Sequence, residues 1–165
     1  MSSVNETTLK PPANFKVIEA DTRLRHAQCV QIRTRVFVFG QNVPAEREID
    51  EYEDACRHYL ALSSGVPVGT VRWRAYAPDT AKIERLAVLE EARGMGIGSQ
   101  LMAHVLAEIA AQTEFTHVRL ASQDPIIPFY STMGFEVIGD AFEEVGLPHH
   151  NMILDLKTPL WKSDC

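Results

Sequence analysis

The stretch Ile83–Ala111, IERLAVLEEARGMGIGSQLMAHVLAEIAA, constrains the fold more than any other part of the chain. Ile83–Leu89 is short, apolar and rich in extended-chain formers, which predicts a strand. Gly94, Gly96 and Gly98 then alternate with Met95 and Ile97. Ile97, Leu101, Met102, Val105, Leu106 and Ile109 follow at helical spacing, so one face of a long helix meets a core. A helix N-terminus leaves N–H groups without internal partners and carries partial positive charge. Glycines at alternate positions let those groups approach a bulky anion such as a pyrophosphate. Arg93, just ahead of them, adds a full charge and a planar fork for phosphate oxygens.

Two nucleotide motifs are excluded. A P-loop needs a lysine at the helix start, where Ser99 and Gln100 stand, and the dinucleotide fingerprint G-x-G-x-x-G differs from the G-x-G-x-G found here. A glycine-rich turn that only permits tight packing, or a site for some other nucleotide, stays open on spacing alone.

At 165 residues, with 45% hydrophobic and 23% charged side chains, the chain has the size and composition of one globular domain. A net charge of −6 argues against non-specific nucleic-acid binding. No apolar run reaches membrane-spanning length, and MSSVNETTLK lacks the basic-then-apolar pattern of a secretory signal. Cys29, Cys56 and Cys165 are too scattered for a disulfide framework or a metal knuckle. The expectation is a cytoplasmic protein with reduced thiols and no metal. The parts are a flexible leader over 1–14, a domain over 15–157 and a tail over 158–165.

Phe15–Glu19 reads as a first strand, and Asp21 as the N-cap of a helix from Thr22 into the thirties that carries Leu24, Ala27, Val30 and Val36. Val36, Phe37 and Val38 read as packing at that helix's end. Ala45–Asp54 holds six acidic residues against Arg47, and reads either as a solvated loop or as a funnel for a protonated amine. Arg57–Ser63 and Val66–Tyr76 form a hairpin about Ser64-Gly65. Alternation puts Arg72 and Arg74 on one face and Trp73 on the other. Thr116–Ala121 is a strand, Gln123–Pro125 a break, and Ile126–Met133 a short helix stopped by Gly134. Phe135–Val137 and Asn151–Leu156 close the sheet, with Gly146–His150 as the loop between them.

Arg93-Gly94-Met95-Gly96-Ile97-Gly98, preceded by Leu86-Ala87-Val88, matches the R-G-x-G-[IV]-G turn of the GNAT superfamily, the acetyl-CoA-dependent N-acyltransferases. Pro128-Phe129-Tyr130 followed by Gly134-Phe135 matches the family's FY…GF pattern. The resemblance spans Phe15 to Leu156. Arg33–Asn42 and Val68–Arg72 (V-G-T-x-R) resemble the ElaA/YjcF-like branch, with Gly40 where that branch usually has Glu. The resemblance implies an α/β fold of the α+β kind, with a mixed, mostly antiparallel sheet of six to seven strands flanked by helices. It further implies that the backbone of Leu86, Ala87 and Val88 pairs with the pantetheine arm of acetyl-CoA. Arg93, Gly94, Met95, Gly96, Ile97, Gly98 and Ser99 would hold the pyrophosphate, and Phe129 and Tyr130 would line the cofactor site. From the sequence itself, Phe129 reads as a core residue. Arg72 becomes a substrate contact in the branch resemblance and a solvent-facing stripe without it. Homodimers are common in the family.

Acyl transfer from a thioester to an amine poses two proton problems. A lysine-like acceptor, with a pKa of about 10.4, must lose a proton, and the departing thiolate, with a thiol pKa of about 8.5, gains from receiving one. Tyr130 matches the family tyrosine that points at the CoA sulfur, which makes it the candidate acid. Glu84, on the same alternating face as Leu86 and Val88, and His149, matching a branch "PH", are candidate bases; a water chain is the third possibility. Histidine as a residue type suits proton transfer near neutrality. His149-His150 lacks an evident third ligand for a metal, and neither Cys29 nor Cys56 stands beside a clear His/Asn set for nucleophilic catalysis. The sequence thus predicts an N-acetyltransferase that acts on a primary amine of a small molecule or peptide by direct attack in a ternary complex. A catalytically weak acyl-CoA-binding regulatory protein is the alternative.

Overall fold

The glycine-led segment folds as expected in the computed structural model, which describes residues 11–158 and 161. Helix α3 (Ile97–Ala110) follows strand β4 (Thr80–Val88) across a glycine turn, and Ile97, Leu101, Met102, Val105, Leu106 and Ile109 are all essentially buried. They pack on one face of a seven-stranded sheet, against Tyr59, Val71, Trp73, Ile83, Val118, Leu120, Met152 and Leu154. Gly69 lets this helix lie close: a Cβ there would meet Leu101 and Ile97 methyl carbons at 3.0 and 3.1 Å.

The other strands are β1 (Phe15–Glu19), β2 (Arg57–Ser63), β3 (Val66–Ala77), β5 (His117–Gln123), β6 (Glu136–Glu144) and β7 (Leu147–Asp155). Their order is β1-β2-β3-β4-β5-β7-β6, and every neighbouring pair is antiparallel except β4 with β5. Helix α1 (Arg23–Arg33) covers the opposite face and continues as a π-helical turn over Thr34–Phe39. Cys29, Ile32 and Val36 there close a second core with Leu60, Leu62, Ala87 and Leu89. Short helices α2 (Ala45–Glu48) and α4 (Ile127–Ser131) complete the fold among the described residues.

Several expectations are corrected. Thr22, not Asp21, caps α1, accepting a 3.2 Å bond from the Arg25 amide, and Leu24 is exposed rather than core. Strands β6 and β7 form a long hairpin about Val145-Gly146, both at positive φ, so His149 and His150 belong to a strand and not to a loop. Gly139, at φ 73° inside a register shift, and Pro148 masked this hairpin's periodicity. Most of the expected leader lies outside the described residues. Within the expected tail, Trp161 packs on the main core and its indole N–H donates to the Leu156 carbonyl at 3.1 Å.

The acidic segment is only half solvated: Glu46, Glu51 and Asp54 are exposed, whereas Glu48 and Glu53 are buried and Asp50 is half-buried. Arg33 and Arg72 are buried beneath it. Arg33 donates to Glu53 at 2.6 and 2.7 Å, to the Glu48 carboxylate, and to the Glu48 carbonyl at 3.2 Å. Arg72 donates to Asp50 at 2.8 Å and to Glu84 at 3.0 Å. Burial works to raise the Glu53 pKa, but the hydrogen bond and charge of Arg33 outweigh it and hold the group down at about 2. Removing one partner of a buried pair strands the other charge. Arg33→Met is therefore expected to lower unfolding free energy by about 3–5 kcal/mol, read from urea denaturation. The Glu53 pKa is depressed from an ordinary 4.5, so its contribution is present above that value and is lost as pH falls toward about 2. Acid titrations of stability should show this loss in the native protein and a shallower one in Glu53→Gln.

Candidate active site

Strands β4 and β5 pair for only three rungs, Thr80 with His117, Ala81 with Val118 and Lys82 with Arg119. Beyond Lys82 they part, and the β5-facing main chain of Ile83–Val88 has no strand partner. A bulge in β4 accompanies the split. Arg72 stands opposite Glu84 and Thr70 opposite Ala87, so Val71 faces two residues, and Arg85 takes a left-handed φ of 58°. The bulge shifts side-chain alternation by one. Ala81 and Ile83 join the α3-side core before it, and Leu86 and Val88 pack against that core after it. Glu84 therefore lies on the opposite face from Leu86 and Val88, contrary to simple alternation.

The gap opens as a cleft of 620 Å³ that passes through the sheet. On the α3 side it is lined by Leu86, Val88, Arg93, Gly98, Phe129 and Tyr130. On the α1 side lie Phe37, Gln41, Arg47, Lys82, Glu84, Arg85 and Gln123, with Glu144 and His149 from the β6–β7 hairpin. A larger hollow of 760 Å³ beside α1 is mostly apolar and holds no titratable side chain except Arg35.

The α3 side is built for an anion. Gly96 occupies the N-cap at φ 74° and Gly94 sits at φ 81°, values that an L side chain adopts only with strain. No side chain caps α3 and no acidic residue stands in its first turn, so its free N–H groups and dipole are unopposed. Gly98 has ordinary helical geometry. A Cβ there would meet Phe129 at 3.5 Å and Val88 at 3.9 Å, at the cleft wall. Arg93 donates to the Val88 carbonyl at 3.2 Å.

Tyr130 stands beside Phe129 and Phe135 with ring centroids 5.0 and 6.0 Å away. Burial alone raises its pKa, so the phenol keeps its proton at neutral pH. His149 stacks on Phe142, and its Nδ1 lies 2.8 Å from the Leu147 carbonyl. A carbonyl only accepts, so Nδ1 carries the proton and neutral His149 presents a lone pair at Nε2. Glu144 lies 3.9 Å from that nitrogen.

Two other expected site residues are differently employed. Burial works to raise the Glu84 pKa, but a 2.7 Å bond from Arg74 and the charge of Arg72 hold it below the carboxylate range. Such a carboxylate is a counterion, poorly suited to accept a proton. Arg72 is fully buried among Asp50, Glu53 and Glu84 and does not line the cleft. It is a brace beneath the site and neither a solvent-facing stripe nor a substrate contact. His150 pairs with Asp124 at 2.7 Å, away from His149's partners.

Sequence reasoning missed Gln41 and Gln123, whose side chains join across the cleft at 2.9 Å. It also missed the trio His26, Glu53 and His58, whose ligand-type atoms lie within 4.8 Å of one another. Both oxygens of Glu53 are already taken by Arg33.

A sheet parted beside an uncapped, glycine-led helix end, with a protonated phenol in the gap, forms one site, and the family the chain matches makes it that of an acyltransferase. The chain belongs to the GNAT acetyltransferase family, whose domain matches residues 26–156. It is 38% identical over 142 residues to the uncharacterized N-acetyltransferase YjcF of Bacillus subtilis, covering 86% of this chain and 100% of that one. The crystal structure of ElaA from Escherichia coli superposes with a TM-score of 0.75 at 26% identity, over 86% of this chain and 98% of ElaA. A GNAT acetyltransferase from Elizabethkingia anophelis, solved with acetyl-CoA bound, shares the fold with a TM-score of 0.66 at 17% identity, over 87% and 99% of the two chains.

Glu84→Gln is expected to lower unfolding free energy by about 1–3 kcal/mol in urea, because Arg72 and Arg74 lose a charged partner. Unchanged stability would contradict the counterion role.

Proposed function

We propose that the protein transfers an acetyl group from acetyl-CoA to a primary amine by direct attack in a ternary complex. The observation that carries this reading is the parting of β4 from β5 beside the uncapped start of α3. Acetyl-CoA supplies the acyl group as a thioester. The α3 N-terminus, Gly94, Gly96 and Arg93 suit its pyrophosphate, and the backbone of Leu86, Ala87 and Val88, which has no strand partner on its β5 side, suits the amides of its pantetheine arm. Binding of acetyl-CoA in the Elizabethkingia relative, which shares this fold, supports the assignment.

The acceptor enters from the α1 side. His149 Nε2 takes a proton from the ammonium, directly or through water, and the freed nitrogen forms a bond to the carbonyl carbon. As the carbon–sulfur bond breaks, Tyr130 gives its proton to the sulfur. The nitrogen, cationic once bonded to carbon, loses a second proton that restores the phenol through solvent, and His149 releases the first to solvent, so one proton leaves per turnover and charge balances. The free thiols Cys29 and Cys56 have pKa values raised by burial to about 11, which disfavours a covalent acetyl-cysteine route.

Calorimetric titration with acetyl-CoA, followed by a thiol-release screen against amines, tests the proposal. Tight binding with release on an amine class is expected; absence of binding overturns the reading. Tyr130→Phe is expected to lower kcat about a hundredfold with acetyl-CoA affinity within about twofold. Mass spectrometry after incubation with acetyl-CoA alone should find no acetylated protein.

A further inference from the structure

The last rung before the sheet splits sets two cations side by side. Lys82 and Arg119 face each other across the parallel pair, both half-buried. Both lie over the same Tyr76 ring, at 5.7 and 5.1 Å from its centroid. Among the described residues, neither has a carboxylate within ion-pair distance. The Lys82 charge is felt at Glu84, but that carboxylate already serves Arg72 and Arg74. Like charges opposed across a ladder are destabilising, and cation–π contact with an exposed tyrosine offsets only part of this. Lys82 lines the acceptor side of the cleft, and Arg47, also without a carboxylate partner among the described residues, lines it too. The phosphate-suited turn at Arg93–Gly98 lies on the α3 side of the sheet, so these cations are not placed for the cofactor's pyrophosphate.

We infer that the acceptor amine carries an anionic group, a carboxylate or a phosphate, that seats at the apex of the split on Lys82 in the cleft wall, with Arg119, its rung partner just outside that lining, as the second cation. The guanidinium offers a planar fork and the ammonium a point charge, which together suit either oxyanion. With the anion held there, the amine reaches along the cleft toward the unpaired backbone of β4. Of the acidic segment, Glu48, Asp50 and Glu53 are spent on Arg33, Arg72 and Arg85, and the exposed Glu46, Glu51 and Asp54 do not line the cleft, which leaves Glu144 beside His149 as the other acid in its wall. The inference rests on the acetyltransferase reading for the amine and on the charge geometry for the anion.

The test uses matched amines: 5-aminopentanoate against pentylamine, and 2-aminoethyl phosphate against ethylamine. Thiol release from acetyl-CoA is expected to show at least a tenfold higher kcat/KM for an anionic member of one pair, and the pair that shows it identifies carboxylate or phosphate. Lys82→Gln and Arg119→Gln should each collapse that ratio toward one, with acetyl-CoA affinity retained as the sign of an intact fold. Equal rates within both pairs, or a ratio that survives both substitutions, overturns the inference while leaving acetyl transfer standing. Ligand-observed NMR of 5-aminopentanoate and 2-aminoethyl phosphate, each with the CoA-saturated protein, separates the two claims. Binding lost in both variants, with no acetylation of any amine, would uphold the anion seat and overturn the transferase reading.

Discussion

Unpaired main-chain groups inside a protein are expensive, so a sheet that stops pairing in its middle has to give those groups other work. Strands β4 and β5 share three rungs and then separate, while β4 stays bonded to β3 on its other side. The β5-facing groups of Ile83–Val88 are thereby turned toward a cavity. Everything else in the site follows from that parting. It lets α3 bring its free N–H groups to one mouth, lets Tyr130 stand in the gap, and leaves the other mouth to the β6–β7 hairpin. The Arg85 bulge is part of the same device, since it re-aims Leu86 and Val88 toward the α3-side core and sends Glu84 the other way.

The charge pattern has an inward logic. Arginines at positions 33 and 72 are buried, and the acidic segment folds over them as a lid of counterions. A buried ion network contributes little stability against a well-packed apolar alternative, but it is unforgiving of losing a member. Here it fastens the α1–β2 connection onto the sheet and fixes one wall of the cleft through Arg85, which donates to Asp50 at 3.2 Å. The net charge of −6 is therefore a poor guide to the cleft, whose lining includes Lys82 and Arg47, neither with a carboxylate within ion-pair distance among the described residues.

Much of the fold was legible because its signals are local. The α3 face repeats at helical spacing, the β2–β3 turn is marked by Ser64-Gly65, and the phosphate-suited turn needs glycine at positions that take positive φ. What was not legible depends on contacts distant in sequence. Arg33 and Glu53 meet across 20 positions, and no alternation rule says that a solvated-looking run will close over a helix arginine. The bulge at Arg85 is invisible too, because a non-glycine residue at positive φ leaves no mark in composition, and so Glu84 was placed on the wrong face. The β6–β7 hairpin was shortened by Gly139 and Pro148, which read as breaks when taken singly. Tyr130 and His149 both line the cleft, one from a recognisable motif and the other from a strand that the sequence hid.

The sheet ends in β1 on one side and β6 on the other. Strand β6 carries Glu136, Asp140, Glu143 and Glu144 and loses register between Ile138 and Phe142. A straight, uncharged edge would be a template for another strand; this one is bent and acidic, so a second chain of the same sign is turned away. The irregularity that hid the hairpin from its sequence thus also keeps the open end of the sheet from growing.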